Sequence, residues 1–278
     1  MRAIPEQTAR GDAMSSSTYL LAGQVSELER LKLQSHVWEP SGRRLLEQFG
    51  EGRGGRAVDI GCGAMGWLRL LSEWVGPEGE VVGTDIDDAM LAAAKAFVAD
   101  EGLSNVVLVN DDLFETHLEA ASFDVVHSRF EVTPLARGEE QMATYCRLAR
   151  PGGIVALEDW DKGSWHYNPP APALQQLVAL IDQAFARISD LDGGRTHLEL
   201  FSTAGIEAHL GAEVLALPPG HPYLRLPIQM TTSLAPRLQD VVTADELARL
   251  HEEAEKELQD LERWGTTFTV IQSWGRRP

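Results

Sequence analysis

The sequence predicts an α/β fold, in which helices cover both faces of a mostly parallel β-sheet. Short apolar runs alternate with helical segments between Arg56 and Glu158, which is the pattern of repeated βαβ units. These runs are apolar at nearly every position, as expected of strands that are buried on both faces. A glycine-rich turn follows the first run, at the place where such sheets bind ligands.

Five strands are predicted in this region, at residues 57–60, 80–84, 106–109, 123–127 and 154–157. Helices are predicted between them at 68–75 and 90–99, and a further helix carries Met142, Tyr145 and Leu148. Asp87 can cap the helix of 90–99, because its side chain can accept hydrogen bonds from the free amides of the first turn.

Helical segments flank this region on both sides. Val25–Trp38 has apolar residues at helical spacing, and Ser26 and Glu29 have the spacing of a capping box. Later helices are predicted at about 173–188, at 195–204 and after Thr243, and later strands at 214–217 and 266–274.

These patterns divide the chain into three parts. Residues 1–18 contain no apolar core and are predicted to be a disordered leader. Residues 19–50 are expected to form an N-terminal helical lid. Residues 51–278 are expected to form the α/β domain, with a helical insertion at about 218–262.

Composition excludes several classes of function. The 278 residues include 24 Lys and Arg against 42 Asp and Glu, so the net charge is −18. Such a charge disfavours nucleic acid and anionic membrane surfaces as partners. No apolar stretch approaches the roughly 18 residues of a membrane span. Two cysteines, Cys62 and Cys146, cannot form a disulfide framework, so we expect a cytoplasmic protein and leave a homodimer open.

Residues 61–66 form a G-x-G-x-x-G motif with a strand before it, a helix after it and an acidic residue about 20 positions later. Glycines allow a close approach of the backbone to a ligand, and the helix start offers free N–H groups. A tight turn without a ligand is the alternative, and the context makes it the weaker one.

Three carboxylates at successive strand ends favour one kind of nucleotide. Asp59 precedes the glycine turn, where it would repel a pyrophosphate but suit a cofactor with an amino group and a positive sulfur. Asp85 is placed to accept both ribose hydroxyls, and Asp112 to accept from an adenine amino group. All three share the carboxyl edge of the sheet. An adenosine cofactor other than a dinucleotide is therefore expected.

Five segments in order resemble the motifs of class I S-adenosylmethionine-dependent methyltransferases: VDIGCG at 58–63, GTDID at 83–87, NDD at 110–112, FDVVHSRF at 123–130 and LARPGG at 148–153. The resemblance covers about residues 57–159. It is strongest to the small-molecule enzymes related to ubiquinone and menaquinone biosynthesis, a group used in natural-product tailoring. It implies a Rossmann-like, seven-stranded sheet, S-adenosylmethionine as cofactor and S-adenosylhomocysteine as product.

The resemblance also implies roles for individual residues. The methionine part of the cofactor would be held by Asp59 and the turn Gly61, Cys62 and Gly63, the ribose by Asp85, and the adenine by Ile86, Asp112 and Leu113. Ser128 and Arg129 would border the methyl group, and Tyr19 and Arg30 of the N-terminal helical lid would reach the cofactor. Relatives often have Gly-Asp where this chain has Asp111-Asp112, and strand register favours Asp112 for adenine.

A general base is needed only if the methyl acceptor must lose a proton. His166 is the best-placed candidate in the sequence, because its loop follows the fifth strand; a surface histidine is the alternative. His127 is weaker as a base. Glu131 and Asp159 could touch substrate, although a helix cap or a solvated acid is the simpler interpretation of each.

The acceptor is expected to be a small apolar or aromatic metabolite. Trp160, Trp165 and Tyr167 either stack on this substrate or pack the lid onto the core. No metal site is predicted. The alternatives are a protein or RNA methyltransferase, of which the charge opposes RNA, and a cofactor-binding module with another role.

Overall fold

The computed structural model describes residues 25–186 and 192–278, with side chains from residue 28 onward. The predicted leader, Tyr19 and the side chain of Ser26 lie outside the described residues.

The centre of the molecule is a seven-stranded sheet with the order β3-β2-β1-β4-β5-β10-β7. Its strands are β1 (Arg56–Ile60), β2 (Glu80–Asp85), β3 (Val106–Asn110), β4 (Phe123–Arg129), β5 (Ala149–Asp161), β7 (His209–Glu213) and β10 (Thr269–Arg276). The first five are parallel, and β10 runs antiparallel to β5 and β7. The predicted Rossmann-like, mostly parallel sheet is confirmed.

A second, small sheet has the order β6-β9-β8, with β6 at Tyr167–Asn168, β8 at Ala216–Leu217 and β9 at Trp264–Thr266. It corrects two sequence predictions. The strand predicted at 214–217 is shorter than expected, because the chain leaves the main sheet at Glu213 and only Ala216 and Leu217 form a strand, which pairs with β9. The predicted strand at 266–274 is divided at Thr267, whose hydroxyl accepts a hydrogen bond from Leu215 N.

The helices are α1 (Val25–Glu47), α2 (Leu68–Val75), α3 (Asp88–Asp100), α4 (Val132–Leu135), α5 (Gly138–Leu148), α6 (Pro172–Phe185), α7 (His197–Thr203), α8 (Leu226–Leu238) and α9 (Ala244–Glu257). Asp87 caps α3 as predicted, and the helix predicted after Thr243 is α9, which begins with a capping box formed by Thr243 and Glu246. In the two described stretches of the chain, no helix has the length and apolarity needed to cross a membrane.

Helix α1 continues well past the predicted end at Trp38, through Pro40, to Glu47. Its second half is part of the hydrophobic core: Trp38 is 1% exposed, and Leu45 is buried against α2 and the sheet. The Trp38 indole donates a hydrogen bond to the Tyr223 hydroxyl at 3.2 Å. The segment predicted as a lid is therefore anchored in the core at its carboxyl end.

Helices α6, α8 and α9 pack together beside the carboxyl end of β5 and share one hydrophobic core. Trp160, Trp165 and Tyr167 are buried in that core, and Trp160 stacks on Phe268 with ring centroids 4.6 Å apart. The core-packing interpretation of this aromatic cluster therefore holds for all three residues, although Trp160 also reaches the cavity described below.

Candidate active site

A cavity of about 660 Å³ opens at the carboxyl ends of β1, β2, β3 and β4, between the sheet edge and α1. Its walls include most of the residues expected to bind the cofactor: Arg30, Asp59, Gly61, Cys62, Gly63, Asp85, Ile86, Asp111, Asp112, Leu113 and Arg129. Ser128 lies just behind the wall, where its hydroxyl donates to Ile60 O at 3.2 Å. Topology brings these residues together because parallel strands present their carboxyl ends at one edge.

The glycine turn after β1 has three left-handed residues, Gly61 (φ 68°), Gly63 (φ 54°) and Gly66 (φ 41°). This region of conformational space is open to glycine and costly for other residues. At two of these positions a side chain would also collide. A methyl group on Gly61 would overlap the Glu131 carboxylate, and one on Gly66 would overlap that of Asp59. Only Gly63 has open space at the Cβ position, whereas the Glu131 carboxyl group covers Gly61.

Asp85 ties this turn to the end of β2. Its Oδ2 accepts a hydrogen bond from Gly63 N at 2.9 Å, and its Oδ1 accepts one from Asp87 N at 2.9 Å. Burial raises the pKa of Asp85, and the two amide donors oppose that rise. The carboxylate keeps further lone pairs that can accept hydroxyl groups from the cavity side.

Asp111 and Asp112 both line the cavity beyond β3. The Asp111 carboxylate is buried and accepts from His117 N at 3.1 Å, whereas Asp112 accepts from Phe114 N at 2.8 Å. Since both are within the wall, the choice of Asp112 for adenine stays a prediction.

A line of ionisable groups crosses the sheet beneath the cavity. The His127 ring lies between two carboxylates, with Nδ1 at 2.7 Å from Asp59 Oδ1 and Nε2 at 3.3 Å from Glu158 Oε2. Trp67 stacks on the ring at 3.8 Å and donates its backbone N–H to Asp59 Oδ2 at 2.7 Å. Glu158 also accepts from Gln272 at 2.7 Å and lies 4.0 Å from Arg129.

This geometry requires a charged histidine. A carboxylate only accepts hydrogen bonds, and a neutral imidazole has one N–H, so both contacts are satisfied only by the imidazolium. Burial opposes the charged ring, but the hydrogen bonds to Asp59 and Glu158 outweigh it and raise the pKa of His127. Burial likewise opposes the Glu158 carboxylate, yet His127 and Arg129 hold the pKa of Glu158 below its ordinary value.

Glu131 is a cavity residue that sequence reasoning set aside as a helix cap or a solvated acid. It stands at the amino end of α4, but its side chain makes no capping hydrogen bond there, and it lines the cavity. Burial, with the charges of Asp85, Asp159 and Asp59, raises the pKa of Glu131 well above its ordinary value. Its place directly after β4, at the edge where the other site residues lie, was the available signal.

His166, the predicted general base, is placed outside the cavity. Its segment pairs with Thr266 of β9 through His166 O at 2.9 Å, so the loop turns toward the small sheet instead of the site. The exposed ring lies 3.1 Å from Gly163 O. His166 is not among the residues that line the cavity.

The cavity fits S-adenosylmethionine. The glycine turn offers the backbone approach that a charged amino acid end needs, Asp85 offers acceptors for hydroxyls, and Ile86, Met90 and Leu113 offer apolar surface for a flat ring. Within residues 28–186 and 192–278, no cluster of three His, Cys, Asp or Glu side chains is arranged to hold a metal ion.

Residues 57–153 match a family of methyltransferase domains. Over these residues the chain is similar to a methyltransferase domain. The chain is 32% identical to a demethylmenaquinone methyltransferase of Staphylococcus aureus over 147 aligned residues. These residues make up 53% of this chain and 56% of that protein. The chain thus spans about half the length of the curated relatives it matches.

Solved structures agree with this domain in fold. An S-adenosylmethionine-dependent methyltransferase of Aquifex aeolicus superposes with a TM-score of 0.53 at 22% identity, covering 70% of this chain and 93% of that one. A geranyl diphosphate C-methyltransferase of Streptomyces coelicolor superposes with a TM-score of 0.52 at 12% identity, covering 95% and 90%.

The methyltransferase domain defined by the family match supplies one side of the cavity. The opposite side comes from outside residues 57–153, namely Arg30, Leu31 and Gln34 of α1, Trp160 of β5 and Phe185 of α6. These parts of the chain, which the family match leaves out, therefore complete the lining of the cavity.

Proposed function

We propose that this protein is an S-adenosylmethionine-dependent methyltransferase that transfers a methyl group in line to a small apolar or aromatic metabolite. The observation that carries the proposal is one cavity with two kinds of wall. The cofactor motifs form the first wall, and Phe130, Leu135, Trp160 and Phe185 form an apolar second wall. An acceptor lying on the second wall would face a methyl group held on the first.

In this proposal the first wall holds and orients the cofactor. Gly61 and Gly63 present backbone to its methionine part, and Asp59 supplies negative potential there. Asp85 accepts the ribose hydroxyls, and Ile86 and Leu113 enclose the adenine. When bound, S-adenosylmethionine supplies a methyl group on a positively charged sulfur, which is a good leaving group. The chain's own contribution is orientation, worth several kcal/mol of the barrier in well-aligned reactions.

The second wall excludes water from the reacting atoms. Helix α1 covers the cavity with Arg30, Leu31, Gln34 and Ser35, and its buried carboxyl half keeps it in place. Expelling water strengthens the electrostatics of the pocket and prevents side reactions. The likeness to demethylmenaquinone methyltransferases supports a quinone-type acceptor. We propose that the methyl transfer belongs to secondary metabolism.

The cofactor assignment is tested by Asp85→Ala, with Asp88→Ala as the control. Asp88 is at the exposed start of α3 and bonds Asn110 at 2.7 Å, outside the cavity. Loss of two charge-assisted hydrogen bonds, each worth about 1.5–3 kcal/mol, should weaken S-adenosylhomocysteine binding at least about tenfold in Asp85→Ala only. Calorimetry measures both. Tight binding of NAD, or an unaffected Asp85→Ala protein, contradicts the assignment.

The acceptor class is tested by incubating the wild-type protein and S-adenosylmethionine with a library of small metabolites rich in quinones and phenols. Mass spectrometry should detect methylation of at least one small aromatic compound. If a parallel incubation with added proteins shows methylation of a protein, while no small compound is methylated, the proposal of a small-molecule acceptor is contradicted.

A further inference from the structure

The backbone before Glu131 is held in a costly conformation. Phe130 has φ 63°, in the left-handed region that is uncommon for residues other than glycine. Its N–H donates to Glu158 O at 2.8 Å, and its ring packs edge-on against Trp160 and Phe268 at 5.3 and 5.7 Å. These contacts fix the turn after β4, and the turn presents Glu131 to the cavity.

Glu131 lies where the two halves of the cofactor site meet. Its carboxyl group packs directly over Gly61, in the space that a side chain at that position would fill. It is also close enough to Asp85 for the charge of that carboxylate to act on it. In the proposed function the methionine part lies at Gly61 and the ribose at Asp85, and the sulfur atom joins these two parts of the cofactor.

We propose that Glu131 is the carboxyl group that recognises the positively charged sulfur of the methyl donor and so distinguishes S-adenosylmethionine from S-adenosylhomocysteine. This inference rests on the proposed function. The donor and the product carry the same amino and carboxyl groups, and they differ by the methyl group and the charge on sulfur. A group that senses this charge favours the donor over the product.

The charged groups around Glu131 come from every neighbouring element. The carboxylates are Asp59 on β1, Asp85 on β2 and Asp159 on β5; the cations that line the same cavity are Arg30 on α1, Arg129 on β4 and Arg137 after α4. Burial and the three carboxylates raise the pKa of Glu131, so its carboxyl group keeps its proton to a higher pH than an ordinary glutamate does. A positive charge placed beside it favours ionisation.

Donor binding therefore favours release of the Glu131 proton to solvent, and product binding favours it less. Because a reaction that releases protons is favoured as pH rises, the preference for donor over product increases with pH. It declines as the pH falls and protonated Glu131 is retained.

Isothermal calorimetry in phosphate and in Tris at one pH measures the number of protons released. We expect more protons released with S-adenosylmethionine than with S-adenosylhomocysteine, in the wild type and in the control Glu115→Gln. Glu115 is an exposed carboxylate on the same cavity. In Glu131→Gln the difference should vanish, and the affinity for the donor should fall about tenfold relative to that for the product.

Equal proton release by the two ligands in the wild-type protein overturns the inference and needs no variant. A difference that persists in Glu131→Gln overturns it as well. If the wild-type protein binds neither ligand, both the proposed function and the role of Glu131 are contradicted. If it binds both ligands and releases the same number of protons with each, only the role of Glu131 is contradicted.

Discussion

Asp59, His127 and Glu158 form a row of ionisable side chains within the sheet, and each is at most 2% exposed. The row balances its charge, because the imidazolium of His127 and the guanidinium of Arg129 oppose two carboxylates. Removing one member of such a buried set leaves an uncompensated charge, at a cost of about 3–5 kcal/mol. His127 therefore stabilises the strands that carry the cofactor-binding residues.

His127→Asn should destabilise the protein in a pH-dependent way. A raised pKa means that the charged ring contributes stability that is complete below about pH 6.5 and is lost as pH rises through the folded-state pKa. We expect a loss of about 3–5 kcal/mol in the free energy of unfolding at pH 6 and a smaller loss at pH 9, measured by urea denaturation.

His197→Asn is the matched control. His197 is also buried, but burial lowers the pKa of this ring to about 4, so it is neutral at both pH values. Its substitution should cost less at pH 6 than at pH 9, because the unfolded ring binds protons at pH 6 and the folded ring does not, which is the opposite trend to that of His127. If His127→Asn does not cost more at pH 6 than at pH 9, the charged row is refuted.

Single residues were predictable where the chemistry depends on local sequence. Asp59, Asp85 and the glycine turn were identified because each lies at the carboxyl end of its own strand or directly after it. His127 and Glu131 depend on distant partners: Asp59 is 68 residues away from His127, and Glu158 is 31 away. The sequence placed His166 at the cavity, and this placement was wrong for the same reason. The pairing with Thr266 that turns the His166 loop away is a long-range contact.

At the scale of elements, α1 has two different halves. Arg30, Leu31 and Gln34 face the cavity, whereas Trp38 and Leu45 are buried in the core. A truncation that ends inside this helix removes core packing together with cavity wall. A protein without residues 1–40 would therefore lose Trp38 from its core.

Trp38→Ala should lower the free energy of unfolding by about 3–5 kcal/mol, because it removes a fully buried indole and leaves the Tyr223 hydroxyl without that donor. Trp264→Ala is the control, since this indole on β9 is 41% exposed and should change stability by about 0.5 kcal/mol or less. Denaturant unfolding compares the two. Similar losses in both variants would refute the core role of α1.

Strands and helices of the βαβ region were predicted to within a few residues because burial on both faces makes them continuous apolar runs. The last third of the chain lacks that signal. Val214 is exposed and Leu217 buried within one short apolar run, and only pairing with β9 decides where the strand lies. Such pairing is not encoded in local periodicity.

At the scale of the molecule, the acidic charge and the enclosed cavity both favour a small acceptor. The net charge of −18 repels phosphate backbones, whose binding depends on basic side chains. We expect no binding of a short single-stranded RNA at about 10 μM in physiological salt, where non-specific binders have dissociation constants of roughly 1–100 μM. Fluorescence anisotropy checks this. Salt-sensitive RNA binding would favour the RNA methyltransferase alternative.

The row from Asp59 through His127 to Glu158 also has a consequence for motion. It joins β1, β4 and β5, and the turn that carries the glycines begins at the end of the first of these strands. Opening any one strand alone would expose a charge that the others neutralise, so local fluctuations there are suppressed in favour of the cooperative opening of all three. The backbone amides of these strands would then exchange their hydrogens with solvent at nearly a common, slow rate. The floor of the cavity is therefore held as one rigid unit.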